Sequence, residues 1–136
     1  MTQIFLCSMG ANLDPETNFT VARQQVEQLG QVVFSSAHYT QPVAIETQHQ
    51  FLNALFVIET ELEQAKLKQS FNHIEEKLGR DRSDPNSSEK DRPMDIDILG
   101  PLNTGNDTAT WRSVPDYLQT MARELQASVK QEEFIA

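Results

Sequence analysis

Apolar and polar positions change period several times along the chain. Residues 3–9 (QIFLCSM) form a short apolar run closed by Gly10, which predicts a first, central strand. The pattern then turns helical. Phe19, Ala22, Val26 and Leu29 recur every three or four positions behind Asp14-Pro15-Glu16, which offers an N-cap, a proline at the first helical position and an acid in the first turn. Gly30 is expected to end that helix. Residues 31–40 (QVVFSSAHYT) and 51–62 (FLNALFVIETEL) are rich in β-branched and aromatic side chains and read as strands joined by a loop over 41–50. Between 63 and 78, Leu67, Phe71, Ile74 and Leu78 follow i, i+4, i+7, i+11, and Gly79 stands where a helix commonly closes. Residues 80–93 hold no apolar side chain besides two prolines and predict a solvated loop. A strand follows through 94–99, then a loop over 101–112. A last helix spans 115–129, with Leu118, Met121, Ala122, Leu125 and Val129 on one face. The order β-α-β-β-α-β-α, with one strand pair joined directly, indicates an α+β, ferredoxin-like fold in which helices pack on one face of a mixed sheet.

Composition narrows the function classes. A length of 136 residues suits a single domain, 1–136. The net charge of −9 argues against a surface that binds nucleic acid by counterion release, so anionic ligands would need metal ions or locally placed arginines. The lone cysteine, Cys7, allows no intramolecular disulfide and reads as a small core residue in a reduced compartment. No apolar run approaches the roughly 20 residues of a membrane span, so a cytoplasmic, soluble protein with no membrane partner is expected. Protein partners and oligomeric state have no signature in the sequence.

One stretch breaks the apolar logic. In "DRPMDIDILG", residues 91–100, two carboxylates interrupt a run of Met, Ile, Ile and Leu. Side chains at i and i+2 share a strand face, so Asp95 and Asp97 point together while Met94, Ile96 and Ile98 anchor the opposite face. Paired acids on a rigid element suit a hard, oxygen-seeking cation such as Mg²⁺, singly or as a pair. A solvated strand face would carry the same alternation. Arg80, Arg82, Lys90 and Arg92 flank the acids, and cations beside a metal-binding acid pair favour a polyphosphate ligand.

Five motifs in register then resemble one family, the 6-hydroxymethyl-7,8-dihydropterin pyrophosphokinases of folate biosynthesis. They are "GANLDPETNF", "SSAHYTQP", "FLNAL", "IEEKLGRDR" and "DRPMDIDILG". The resemblance implies a ferredoxin-like fold and transfer of pyrophosphate from ATP to the hydroxymethyl group of a reduced pterin, with two Mg²⁺ ions on the phosphates. It implies that Asp95 and Asp97 are the metal ligands and that Arg82 and Arg92 contact the ATP phosphates. Asn72, Glu75, Ile98, Ser113 and Tyr117 fall at nucleotide-binding positions. Thr40, Pro42, Val43, Phe51 and Asn53 fall in the pterin pocket, where an aromatic face stacks and an amide offers both donor and acceptor. His38, His49 and His73 receive no catalytic role.

The chain also departs from the pattern. The loop before the acids reads "SDPNSSEKDRP" in place of a basic run ending Arg-Trp-Gly-Pro, Asp116 stands where the family has His, a second stacking aromatic is missing, and the chain ends early. Weakened closure over the phosphates implies a slower enzyme. The alternative from another class is a noncatalytic nucleotide- or pterin-binding module on the same fold.

Overall fold

The computed structural model describes residues 2–40, 50–79, 93–103, 105 and 107–131. In chain order the elements are β1 (Gln3–Ala11), α1 (Pro15–Glu27), β2 (Gln31–Phe34), β3 (His38–Thr40), β4 (Phe51–Thr60), α2 (Gln64–Lys77), β5 (Asp95–Leu102), α3 (Asp107–Arg112), a 3-10 turn (Asp116–Leu118) and α4 (Gln119–Gln131). The sheet runs β2-β4-β1-β5, with β3 also paired to β4. This is the ferredoxin-like α+β arrangement, and its pairings are antiparallel rather than mixed. The reason is the split βαβ unit: β1 and β2 flank an inserted β4, so strands running the same way are never neighbours.

Helices cover both faces of the sheet, not one. Phe5, Cys7, Met9, Ala54, Phe56, Ile58 and Ile96 pack under α1 and α2, against Phe19, Ala22, Val26, Leu67, Phe71 and Ile74. On the other face Ile4, Leu6, Leu55, Val57 and Leu102 meet Val114 and Leu118 and the α4 residues Met121, Ala122, Leu125 and Val129. Two-sided burial explains why β1 and β4 read as nearly unbroken apolar runs instead of alternating ones. Phe56, fully buried, meets Phe34 at 5.5 Å and Phe71 edge-on at 5.9 Å between ring centroids. Phe56→Ala is expected to cost about 3–5 kcal/mol, read from urea midpoints. A loss under about 1 kcal/mol would mean that this layer is not the core.

Four local expectations are revised. Asp14 precedes α1 in a left-handed conformation (φ 39°) and makes no side-chain cap; Asn18 Nδ2 instead donates to the Leu13 carbonyl at 2.7 Å. Helix α1 stops before Gly30, whose missing side chain is needed because a Cβ would stand 2.2 Å from the Glu59 carbonyl oxygen. The strand read over 31–40 is two strands: at Ser35 the main-chain N–H still donates to the Leu55 carbonyl at 2.9 Å, but the Leu55 N–H goes to Ser35 Oγ at 2.9 Å instead of to a main-chain carbonyl. Finally, the loop read over 101–112 contains the end of β5 and α3. Thr110 fixes α3 by donating to the Pro101 carbonyl at 2.7 Å over Gly100, a tertiary contact that local propensity does not reveal. Gly79, with φ 107°, does close α2.

Candidate functional site

The acids sit at the edge of the sheet, and the pairing shows which face they share. Asp95 lies opposite Gly10 and Asp97 opposite Ser8 on β1; Gly10 in turn lies opposite Asn53 on β4, and Asn53 opposite His38 on β3. Because Ile96 and Ile98 pack toward α1 and α2, Asp95 and Asp97 point to the α4 side of the sheet. Ser8 and Gly10 follow Ile4 and Leu6 on that side, and Phe51 and Asn53 precede Leu55 and Val57. The second core ends at Leu6 and Leu55, so one end of this face carries Asp95, Asp97, Gly10, Asn53 and Phe51 together. From β5 to β4 the row spans two strand spacings, about 10 Å. A register shift between Leu6 and Cys7 places a bulge at Leu99, just beyond the acids.

Helix α2 fixes the acid strand from outside. As an edge strand, β5 turns the N–H and C=O of Ile96 away from β1. Glu75 Oε2 accepts that N–H at 2.7 Å, and Lys68 Nζ donates to the Ile96 carbonyl at 2.8 Å. Glu75 and Lys68 are seven residues apart, two turns along one helix face. Lys68 Nζ also reaches Asp97 Oδ1 at 3.0 Å. The free edge is thereby covered and the acid pair held in place.

The other end of the row is organised by Asn53. It is only 7% exposed, and its Nδ2 donates to Thr40 Oγ1 and to the Phe51 carbonyl, the latter at 3.4 Å. Its Oδ1 lies over Gly10, where a Cβ would come within 2.7 Å. Gly10 is therefore inside a strand, not a terminator, because the Asn53 amide needs its space. With both donors occupied, Oδ1 is the group left to accept a hydrogen bond. Phe51 is half-buried opposite Thr40.

A clasp behind Thr40 ties this end to α4. Glu124 accepts from Ser36 Oγ at 2.6 and 2.8 Å and from Ser36 N–H at 2.7 Å, and His38 Nε2 lies 3.3 Å from Ser36 Oγ. The Ser36 hydroxyl first, then its N–H, holds the Glu124 carboxyl below its ordinary 4.5, with a smaller contribution from His38. A depressed folded-state value stabilises the fold above the ordinary one and is lost as pH falls through it. The urea midpoint is thus expected to fall from pH 5.5 to pH 3.5 more steeply in the wild type than in Glu124→Gln, by a small amount because the pair is solvent-screened. Equal slopes would mean that the clasp contributes nothing.

The structure places the remaining sequence-predicted residues as follows. Glu75 is buried under β5 as described, and Asn72 lies beside it on α2. Ile98 packs toward α1 and α2, so its side chain lies on the face opposite the acids. Ser113 and Tyr117 are exposed where α3 leads into α4, on the acids' side of the sheet, and Ser113 Oγ donates to the Thr110 carbonyl at 2.6 Å. Pro42, Val43, Arg82 and Arg92 lie outside the described residues. Lys68, Gly10, Ser36 and Glu124 were missed by sequence reasoning. Gly10 and Ser36 lie inside two of the motifs without having been given a role, and Lys68 left a trace in its spacing, two helical turns before Glu75. Burial pushes the Cys7 thiol well up, consistent with an inert core residue. A separate cleft between residues 28–30 and 59–62 lies at the far end of β4 and shares no residue with the acid row.

Among the described residues no group of three or more His, Cys, Asp or Glu is placed to hold a metal. Two half-exposed carboxylates nevertheless fit Mg²⁺, which takes few protein ligands and completes its shell with water and phosphate oxygens. No helix among the described residues is long and apolar enough to cross a membrane.

Comparison with known proteins bears on this arrangement directly. Residues 6–116 match the family model described as 7,8-dihydro-6-hydroxymethylpterin-pyrophosphokinase. Proteins from two strains of Porphyromonas gingivalis, each named 2-amino-4-hydroxy-6-hydroxymethyldihydropteridine pyrophosphokinase, are 33% identical over 99 residues, which cover 71% of this chain and 67% of theirs.

Proposed function

Since the chain belongs to the 7,8-dihydro-6-hydroxymethylpterin-pyrophosphokinase family, we propose that it transfers pyrophosphate from ATP to the hydroxymethyl group of 6-hydroxymethyl-7,8-dihydropterin in folate biosynthesis, with Mg²⁺ and at a reduced rate. The observation that carries this reading is the single row on one sheet face that runs from the acid pair through Gly10 to Asn53. Phosphates belong at its β5 end and the pterin at its β4 end.

In the transfer, the hydroxymethyl oxygen bonds to the β-phosphorus while the bond from that phosphorus to the oxygen bridging the α-phosphate breaks. AMP leaves and the hydroxyl proton passes to solvent. Mg²⁺ supplies Lewis-acid neutralisation of the phosphate oxygens when bound. The chain's own residues orient the reactants. Asp95 and Asp97 would hold the metal on a strand that Glu75 and Lys68 keep from shifting. Asn53 Oδ1 takes an N–H of the pterin edge, and Phe51 offers a stacking face at the entrance. Arg82 and Arg92 are assigned to the phosphates and Pro42 and Val43 to the pterin on the motif alone. Ser113 and Tyr117, on the acids' side, are assigned to the nucleotide with Asn72 and the main chain at Ile98. Such a mechanism needs positioning more than a strong base, so an altered phosphate loop slows it without abolishing it.

Incubation with ATP, Mg²⁺ and 6-hydroxymethyl-7,8-dihydropterin is expected to release AMP and pterin diphosphate in equal amounts, and none without the divalent cation. ADP as the nucleotide product, or no AMP above the rate without enzyme, would refute the proposal.

A further inference from the structure

We infer that Lys68 is a resident counter-ion of the acid pair, a positioning residue that holds Asp97 until a divalent cation arrives with its nucleotide. The inference rests on the metal assignment proposed above and adds a residue that the motifs do not contain. Its basis is the double contact of Lys68 Nζ, to the Ile96 carbonyl at 2.8 Å and to Asp97 Oδ1 at 3.0 Å. Two carboxylates on one strand face repel each other, and a cation between α2 and β5 relieves that repulsion when no metal is bound.

The same contact sets the terms of metal entry. A divalent ion can take Asp97 Oδ1 only as the ammonium yields it, or it must bind beside a like charge. Yielding is easy, because the Lys68 and Asp97 side chains are 37% and 49% exposed and the released ammonium stays solvated. The Ile96 carbonyl keeps Nζ close to the site, where phosphate oxygens provide its next partner. Free cation is therefore held weakly, and cation accompanied by polyphosphate is held well. Lys68 thus couples metal binding to nucleotide binding.

The test is Mn²⁺ binding to the full chain, followed by electron paramagnetic resonance with and without nucleotide. Lys68→Met removes the charge but keeps a flexible, helix-compatible side chain. Without nucleotide it is expected to bind Mn²⁺ about tenfold more tightly than the wild type, the order expected when one like charge is removed at ion-pair distance in a water-like medium. Lys68→Arg should stay near the wild type. With a nucleotide present the gain in Lys68→Met should shrink or reverse. Unchanged or weaker Mn²⁺ binding by nucleotide-free Lys68→Met overturns the inference. Asp95→Asn separates the two levels. If it abolishes Mn²⁺ binding while Lys68→Met leaves it unaltered, only the role of Lys68 falls; if Mn²⁺ binding ignores Asp95→Asn, the metal assignment falls with it.

Discussion

Asp95→Ala is expected to lower AMP release by about 10³-fold while leaving pterin affinity within about twofold of wild type. Both halves follow from the row. In the proposed reading Asp95 and Asp97 would hold the metal, so one carboxylate less would remove charge that fixes the polyphosphate for transfer. The residues proposed for the pterin lie two strands away and are held by a separate set of bonds, which Asn53 Nδ2 donates to Thr40 Oγ1 and to the Phe51 carbonyl. Single-turnover rates measured beside pterin binding by fluorescence would show the split. A variant that loses both together would point to collapse of the edge strand, and one that loses neither would remove the acids from the chemistry.

Gly10→Ala should produce the opposite division, a pterin affinity about 10²-fold weaker with Mg²⁺-nucleotide binding largely retained. The new Cβ would stand 2.7 Å from Asn53 Oδ1, and neither partner can retreat. Gly10 is paired on both sides within the sheet, and Asn53 is buried and bonded to Thr40. Overpacking of this kind also costs about 1–3 kcal/mol of stability. Adding Asn53→Ala removes the amide that is struck, so the double variant should recover stability but not pterin binding. If the double variant binds pterin as the wild type does, Asn53 is not the reading group.

The succession of the main strands and helices and the shared face of the acid pair were legible in the sequence because each rests on short-range periodicity. Alternation set Asp95 and Asp97 on one face, and the spacing of Leu67, Phe71 and Ile74 set α2. What the sequence concealed depends on contacts between distant segments. Gly10 looked like a strand terminator because its partner, Asn53, is 43 residues away and only the β1–β4 register brings them together. Helix α3 looked like loop because Thr110, bonded to Pro101, holds it against β5. Lys68 was passed over for the arginines nearer the acids in sequence, although α2 lays it along the β5 edge. The clasp from Ser36 to Glu124 joins residues 88 apart and has no local pattern at all.

The most direct test is a crystal structure of the chain with Mg²⁺, α,β-methylene-ATP and 6-hydroxymethylpterin. Metal is expected on the carboxylates of Asp95 and Asp97, the pterin edge on Asn53 Oδ1, and the hydroxymethyl oxygen facing the β-phosphorus across Gly10. Metal bound away from both acids, or a pterin seated on the α1–α2 face, would contradict that arrangement.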